Sequence, residues 1–233
     1  MIAMKYIYIT ILAFVLALCA CNTASNRVKM EEFTVNLNSP NTVLGEIEVQ
    51  FDTFLGLTGL RKSTITLLYF PREDVVSLQY KYDFYTYNQF WNRTARHAFI
   101  MALQKYNEEY DARELNRNER NSTRKYNTVG TYVTWQQFTF TYLARANTTL
   151  EIGYTFKERN PYFSVNQRKA EFINTESRDD SRTSPAIMMF FTRAQAAELA
   201  EYFDPGFLNE LSPTSRDVPR PVVSPETSRD SYE

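Results

Sequence analysis

The feature that most restricts this chain is a two-residue alternation. From Val76 to Phe84 every second residue is apolar or aromatic (Val76, Leu78, Tyr80, Tyr82, Phe84), with Ser77, Gln79, Lys81 and Asp83 between them. Successive side chains of a strand point to opposite faces, so this pattern predicts a strand with one buried and one wet face. The period recurs at Phe33, Val35 and Leu37, at Ile47, Val49 and Phe51, at Phe138, Phe140 and Tyr142, and from Leu150 to Phe156. Further strands are expected over 63–70, 161–172 and 187–191. Clean alternation of this kind is typical of antiparallel sheets. Asn38-Ser39-Pro40-Asn41 reads as a turn, and Ala146-Asn147-Thr148 as a hairpin connection.

The period changes over 88–110. Trp91, Ala95, Ala98, Phe99, Ala102, Tyr106 and Tyr110 fall on one face of a helix. Residues 111–125 are almost wholly polar, either an extension of that helix or a loop. Thr192 and Gln195 have the spacing of a capping box, which predicts a second helix running to Tyr202. The expected fold is α+β, a mainly antiparallel sheet of about six to eight strands with one face covered by two helices. It occupies residues 31–204 as a single domain. Beyond it, Pro205, Pro213, Pro219, Pro221 and Pro225 punctuate a Ser-rich segment. With so few apolar residues, 205–233 is expected to be a disordered tail.

The N-terminus carries an address. Lys5 precedes an apolar run from Tyr6 to Ala20, the pattern of a secretory signal. The run ends Leu18-Cys19-Ala20-Cys21, which resembles the lipobox of bacterial lipoproteins: aliphatic, small, small, cysteine. The resemblance covers residues 1–21 alone. It implies that residues 1–20 are a signal peptide, that the Cys21 sulfur takes a diacylglycerol, and that residues 21–30 form a lipidated tether. Several palmitate-like chains hold a protein firmly, since each buried methylene contributes about 0.8 kcal/mol. Asn22 follows the acylated position where aspartate signals retention in the inner membrane, so an outer-membrane location is expected. Both cysteines lie in this segment, which leaves the domain no disulfide and makes its core the source of stability.

Signals for chemistry are sparse. His97 is the one histidine, so a multi-histidine metal site cannot form. The chain has no Gly-x-Ser-x-Gly elbow. Gly59-Leu60-Arg61-Lys62-Ser63-Thr64 lacks the glycine spacing of a phosphate loop. Asp179 and Asp180 are flanked by Arg178 and Arg182, and the segment lacks the alternating oxygen ligands of a calcium loop. A formal net charge of −1 provides no field for nucleic acid. No enzymatic activity, cofactor or metal is therefore expected. The densest feature is aromatic. Tyr80, Tyr82 and Phe84 are expected in the core, and Tyr85, Tyr87, Phe90 and Trp91 are the candidate contact or pocket residues.

The expected function is that of a lipid-anchored cell-envelope protein. Its partners would be the membrane, through the N-terminal lipid, and another envelope protein, with the domain acting as a non-catalytic structural or interaction module. The alternative is a small-ligand or lipid-binding lipoprotein with an aromatic-lined pocket between sheet and helix.

Overall fold

A computed structural model describes residues 33–52, 59–115, 123–137, 143–157, 160–171 and 183–211. The strands are β1 (Thr42–Asp52), β2 (Leu60–Phe70), β3 (Val75–Tyr82), β4 (Tyr85–Trp91), β5 (Thr123–Gln137), β6 (Ala144–Lys157), β7 (Asn160–Gln167), β8 (Ala170–Glu171), β9 (Thr183–Ser184) and β10 (Ile187–Phe191). The helices are α1 (Arg93–Asp111), α2 (Arg193–Phe203) and α3 (Pro205–Glu210).

Eight strands form one closed barrel in the order β1-β10-β7-β6-β5-β4-β3-β2, and β8 and β9 pair as a separate two-stranded ladder. All barrel pairings are antiparallel and, apart from the closing contacts of β10, join strands adjacent in the chain. Closure rests on the short pairing of Gln50 with Phe190 and Phe51 with Met189. The chain is thus mainly antiparallel with helices added, as the alternation implies. That the sheet closes on itself could not be read from the strand pattern.

Inward positions are apolar: Ile47, Val49 and Phe51 on β1, Ile65, Leu67 and Tyr69 on β2, Val76, Leu78 and Tyr80 on β3. Outward neighbours such as Glu46, Glu48, Arg61 and Lys62 are polar. Helix α1 starts at Asn92, whose side chain accepts the Ala95 N–H at 2.9 Å. Its Phe99 meets Trp91, Phe163 and Phe203 edge-on at centroid separations of 5.7, 5.1 and 5.2 Å. The capping box of α2 is present, Thr192 accepting from Gln195 N–H and Gln195 accepting from Thr192 N–H.

Several expectations are corrected. Residues 33–37 alternate but form no strand. Phe33, Val35 and Leu37 instead lie over the outer side of the barrel against Phe70, Phe90 and Tyr132. A closed barrel leaves no free edge for another strand to pair with, so this strap packs through side chains alone. The helix begins at Arg93, not 88. Residues 85–91 form β4, and Trp91 faces inward from a strand because the two periods coincide over so short a stretch. β5 begins at Thr123, so the polar 111–125 segment is partly ladder. Ala146-Asn147-Thr148 lies inside β6, with Asn147 opposite Tyr132. Phe138–Tyr142 falls outside the described residues. Phe84, expected in the core, sits on the β3–β4 turn and is exposed. The tail does not begin at 205: Asp204 caps α3 by accepting the Phe207 N–H, Pro205 occupies its first turn, and Leu208 is buried.

One close approach depends on glycine. The β5 register shifts between Lys125 and Asn127, bringing the Arg124 carbonyl onto Gly153, where a Cβ would overlap the carbonyl oxygen. The obstruction is backbone, which cannot rotate away. Gly153→Ala is expected to destabilise the domain by about 3 kcal/mol through overpacking, read as a lower urea midpoint with an unchanged m-value.

Candidate functional site

Three arrangements outside simple apolar packing emerge from the fold. The first is a chain of buried amides inside the barrel. Trp91 Nε1 donates to Gln89 Oε1 at 2.8 Å, and Gln89 Nε2 donates to Gln167 Oε1 at 2.9 Å. Gln167 Nε2 then donates to Ser184 Oγ at 3.2 Å, which donates to the Pro185 carbonyl at 3.1 Å. The Tyr80 hydroxyl lies 3.5 Å from Gln167 Oε1, and the Tyr80 ring stacks on Tyr87 at 5.5 Å. Gln89, Gln167 and Ser184 are fully buried. Burial raises the phenol pKa of both tyrosines, and for Tyr87 a hydrogen bond with Ser184 works against the rise. Both stay neutral across the physiological range. The chain threads through four strands and meets the need of each buried amide for a partner.

The second arrangement ties α1 to the barrel. Asp74 occupies the left-handed region at φ +50° in the β2–β3 turn. Its carboxylate receives Arg93 Nε at 2.8 Å and Arg96 NH2 at 2.6 Å. Arg96 also donates to the carbonyls of Asp74 and Trp91. Two arginines in the first turn of a helix oppose its dipole. Asp74 sits beside them with the negative charge that this end favours, and the Arg96 side chain is only 3% exposed.

The third lies where the helices meet. A cleft of about 540 Å³ runs between α1 and the α2–α3 corner, lined by His97, Ile100, Met101, Phe203 and Pro205 among others. A second, of about 480 Å³, lies at the far end of α1 by Tyr110, Arg113, Phe156 and Pro161. There Arg193 of α2 bridges the helices, donating to Asn107 and Asp111 and lying 4.4 Å from the centre of the Tyr110 ring. His97 is exposed in the first cleft. The Asp204 carboxylate in the same cleft is engaged in capping α3. Among the described residues no three His, Cys, Asp or Glu side chains gather to hold a metal.

The candidate aromatics are thus dispersed. Tyr87 and Trp91 face into the packed barrel, Phe90 faces outward beneath the strap, and Tyr85 is half-buried beside Tyr87. Tyr85, Tyr87 and Trp91 share one face of β4 and Phe90 takes the other, because successive positions of a strand alternate faces. Leu18, Cys19, Ala20 and Cys21 lie outside the described residues. Sequence reasoning missed Gln89, Gln167 and Ser184. The signal for Gln89 was its place between Tyr87 and Trp91 on the inward period, obscured by reading that stretch as helix. Among the described residues no helix is long and apolar enough to cross a membrane.

These features define an up-and-down eight-stranded antiparallel barrel with helices packed into its core. The chain belongs to the family described as "Uncharacterised Treponema protein", whose model matches residues 22–210. It is similar to an uncharacterized protein of Treponema pallidum (strain Nichols), 25% identical over 198 residues. That match covers 84% of this chain and 66% of the relative, so the chain spans just under two thirds of the relative's length. No solved structure matches the chain.

Two outcomes follow from the charged contacts. Asp74→Asn keeps a residue that tolerates the left-handed backbone but leaves Arg96 buried without its counter-charge. A loss of about 3 kcal/mol is expected in chemical denaturation. On the outer face, Glu151 receives Lys125 and Arg168, each at 2.7 Å. Burial alone would raise its pKa, but those hydrogen bonds and charges prevail and hold it below the usual carboxylate value. A lowered folded pKa contributes stability above the unfolded value of about 4.3, lost as pH falls through the folded value. Glu151→Gln should therefore lose less stability than the parent between about pH 6 and about pH 3, measured by urea titration at each pH.

Proposed function

We propose that this chain is a lipid-anchored cell-envelope protein acting as a non-catalytic structural or protein-interaction module. The reading starts from the resemblance of Leu18-Cys19-Ala20-Cys21 to a lipobox, with the acyl chains on Cys21 seated in a membrane and Asn22 favouring the outer one. The observation that carries the module reading is the filled barrel. Trp91, Tyr69, Tyr80, Tyr87, Tyr106, Tyr154 and several phenylalanines are fully buried, and the clefts described above open on the helical side. A barrel of this kind meets partners with its outer surface. An envelope protein is a partner class that suits such a surface, with the barrel as a rigid spacer above the bilayer.

Cells fed a clickable palmitate analogue should label the parent protein and not Cys21→Ala, and only the parent should stay with the membrane fraction. Equal label on both, or none on either, would overturn the anchor.

A further inference from the structure

The tip of the β3–β4 hairpin carries an aromatic that the fold does not use. Tyr82 pairs with Tyr85, so Asp83 and Phe84 form a two-residue loop, with Asp83 at φ +52°. Such loops favour Asn, Asp and Gly for their backbone freedom. Asp83 fits that preference, but an aromatic at the second position adds nothing to the turn. Phe84 is nevertheless 72% exposed, the most exposed of the large apolar side chains described. Leu143, 38% exposed, precedes β6 at the same barrel end. The half-buried Tyr82 and Tyr85 flank the tip, and the Tyr82 hydroxyl donates to the Asp52 carbonyl at 3.1 Å. The exposed aromatics of the helical end are already engaged: Phe207 meets the Tyr202 ring, and Tyr110 meets Tyr106 and Arg193.

We infer that Phe84, with Leu143 at the same barrel end, inserts into the interfacial layer of the lipid membrane in which the Cys21 acyl chains are seated. The inference rests on the anchored reading given above. Chain length is compatible with a lipid occupant. Residues 22–33, extended at ~3.3–3.6 Å each, reach up to ~40 Å. Phe33 enters the structure 6.2 Å from the Tyr132 ring, and Tyr132 faces Phe90. From Phe90 back to Tyr85 the strand covers roughly 17 Å at ~3.4 Å per residue. A tether of that reach lets the anchor and the hairpin tip share one bilayer. Exposed apolar side chains at a loop tip match the bilayer boundary, where aromatic rings bury. Two points of attachment would also fix the barrel's orientation, which one alone leaves free.

The test uses the full-length lipidated protein carrying Phe84→Trp, reconstituted in phosphatidylcholine vesicles with and without brominated acyl chains. The native Trp91 and Trp135 are buried, and the parent protein provides their background. Flotation reads the anchor, and quenching reads the tip. The expected result is flotation that is lost in Cys21→Ala, with most of the added emission quenched by brominated lipid. Quenching in a protein that floats equally well without Cys21 would support tip insertion and overturn the anchor. Flotation without quenching would overturn tip insertion and leave the anchor intact. Neither flotation nor quenching would overturn both. A blue-shifted emission that needs no vesicles and grows with protein concentration would assign the tip to a second copy of the chain and overturn the inference.

Discussion

An eight-stranded barrel encloses a space about as wide as the side chains that must fill it, and this constraint organises the molecule. Tyrosine and phenylalanine are the abundant large residues here, with 16 and 17 copies, and their bulk occupies the inward positions. Because tyrosine hydroxyls and the Trp91 indole enter the core with the rings, polar acceptors must enter too. Gln89, Gln167 and Ser184 serve that need. A buried amide without a partner costs about 1–3 kcal/mol, so the polar chain also disfavours alternative packings that would break it.

The helices extend the same core. Phe99 and Phe203 reach Trp91 from two different helices, which makes helical docking and barrel filling one packing problem. Charge then sets position. Arg96 brings a cation into a nearly dry place because Asp74 stands opposite, and Arg193 holds the start of α2 against the end of α1. Gly45 has a complementary role: Tyr202 lies where its Cβ would be, so the absence of a side chain on β1 lets α2 close down.

The inward surface is used for packing, the strap of 33–37 covers part of the outer wall, and the exposed apolar groups collect at the two barrel ends. Under the proposed reading, those ends and the outer wall are the surfaces left for a partner.

Much of the architecture was legible along the chain. Alternation marked the inward residues of β1, β3 and β6, and the helical stripe from Ala95 to Tyr106 and the capping box at Thr192 were local signals with local causes. The resemblance at Cys21 is likewise confined to one short segment. What only the tertiary structure decided is everything that depends on distant partners. Residues 33–37 and 47–51 share a period, yet only the second is a strand, because closure left no edge for the first. Tyr87, Phe90 and Trp91 read as one aromatic cluster, but β4 sends them to opposite sides of the barrel wall. Gln89 and Gln167 are ordinary polar residues in sequence, and become a buried pair because β4 and β7 face each other across the barrel. Periodicity records which face a residue turns to the core. It carries no information about which other strand waits there, because that is set by closure and packing of the whole chain.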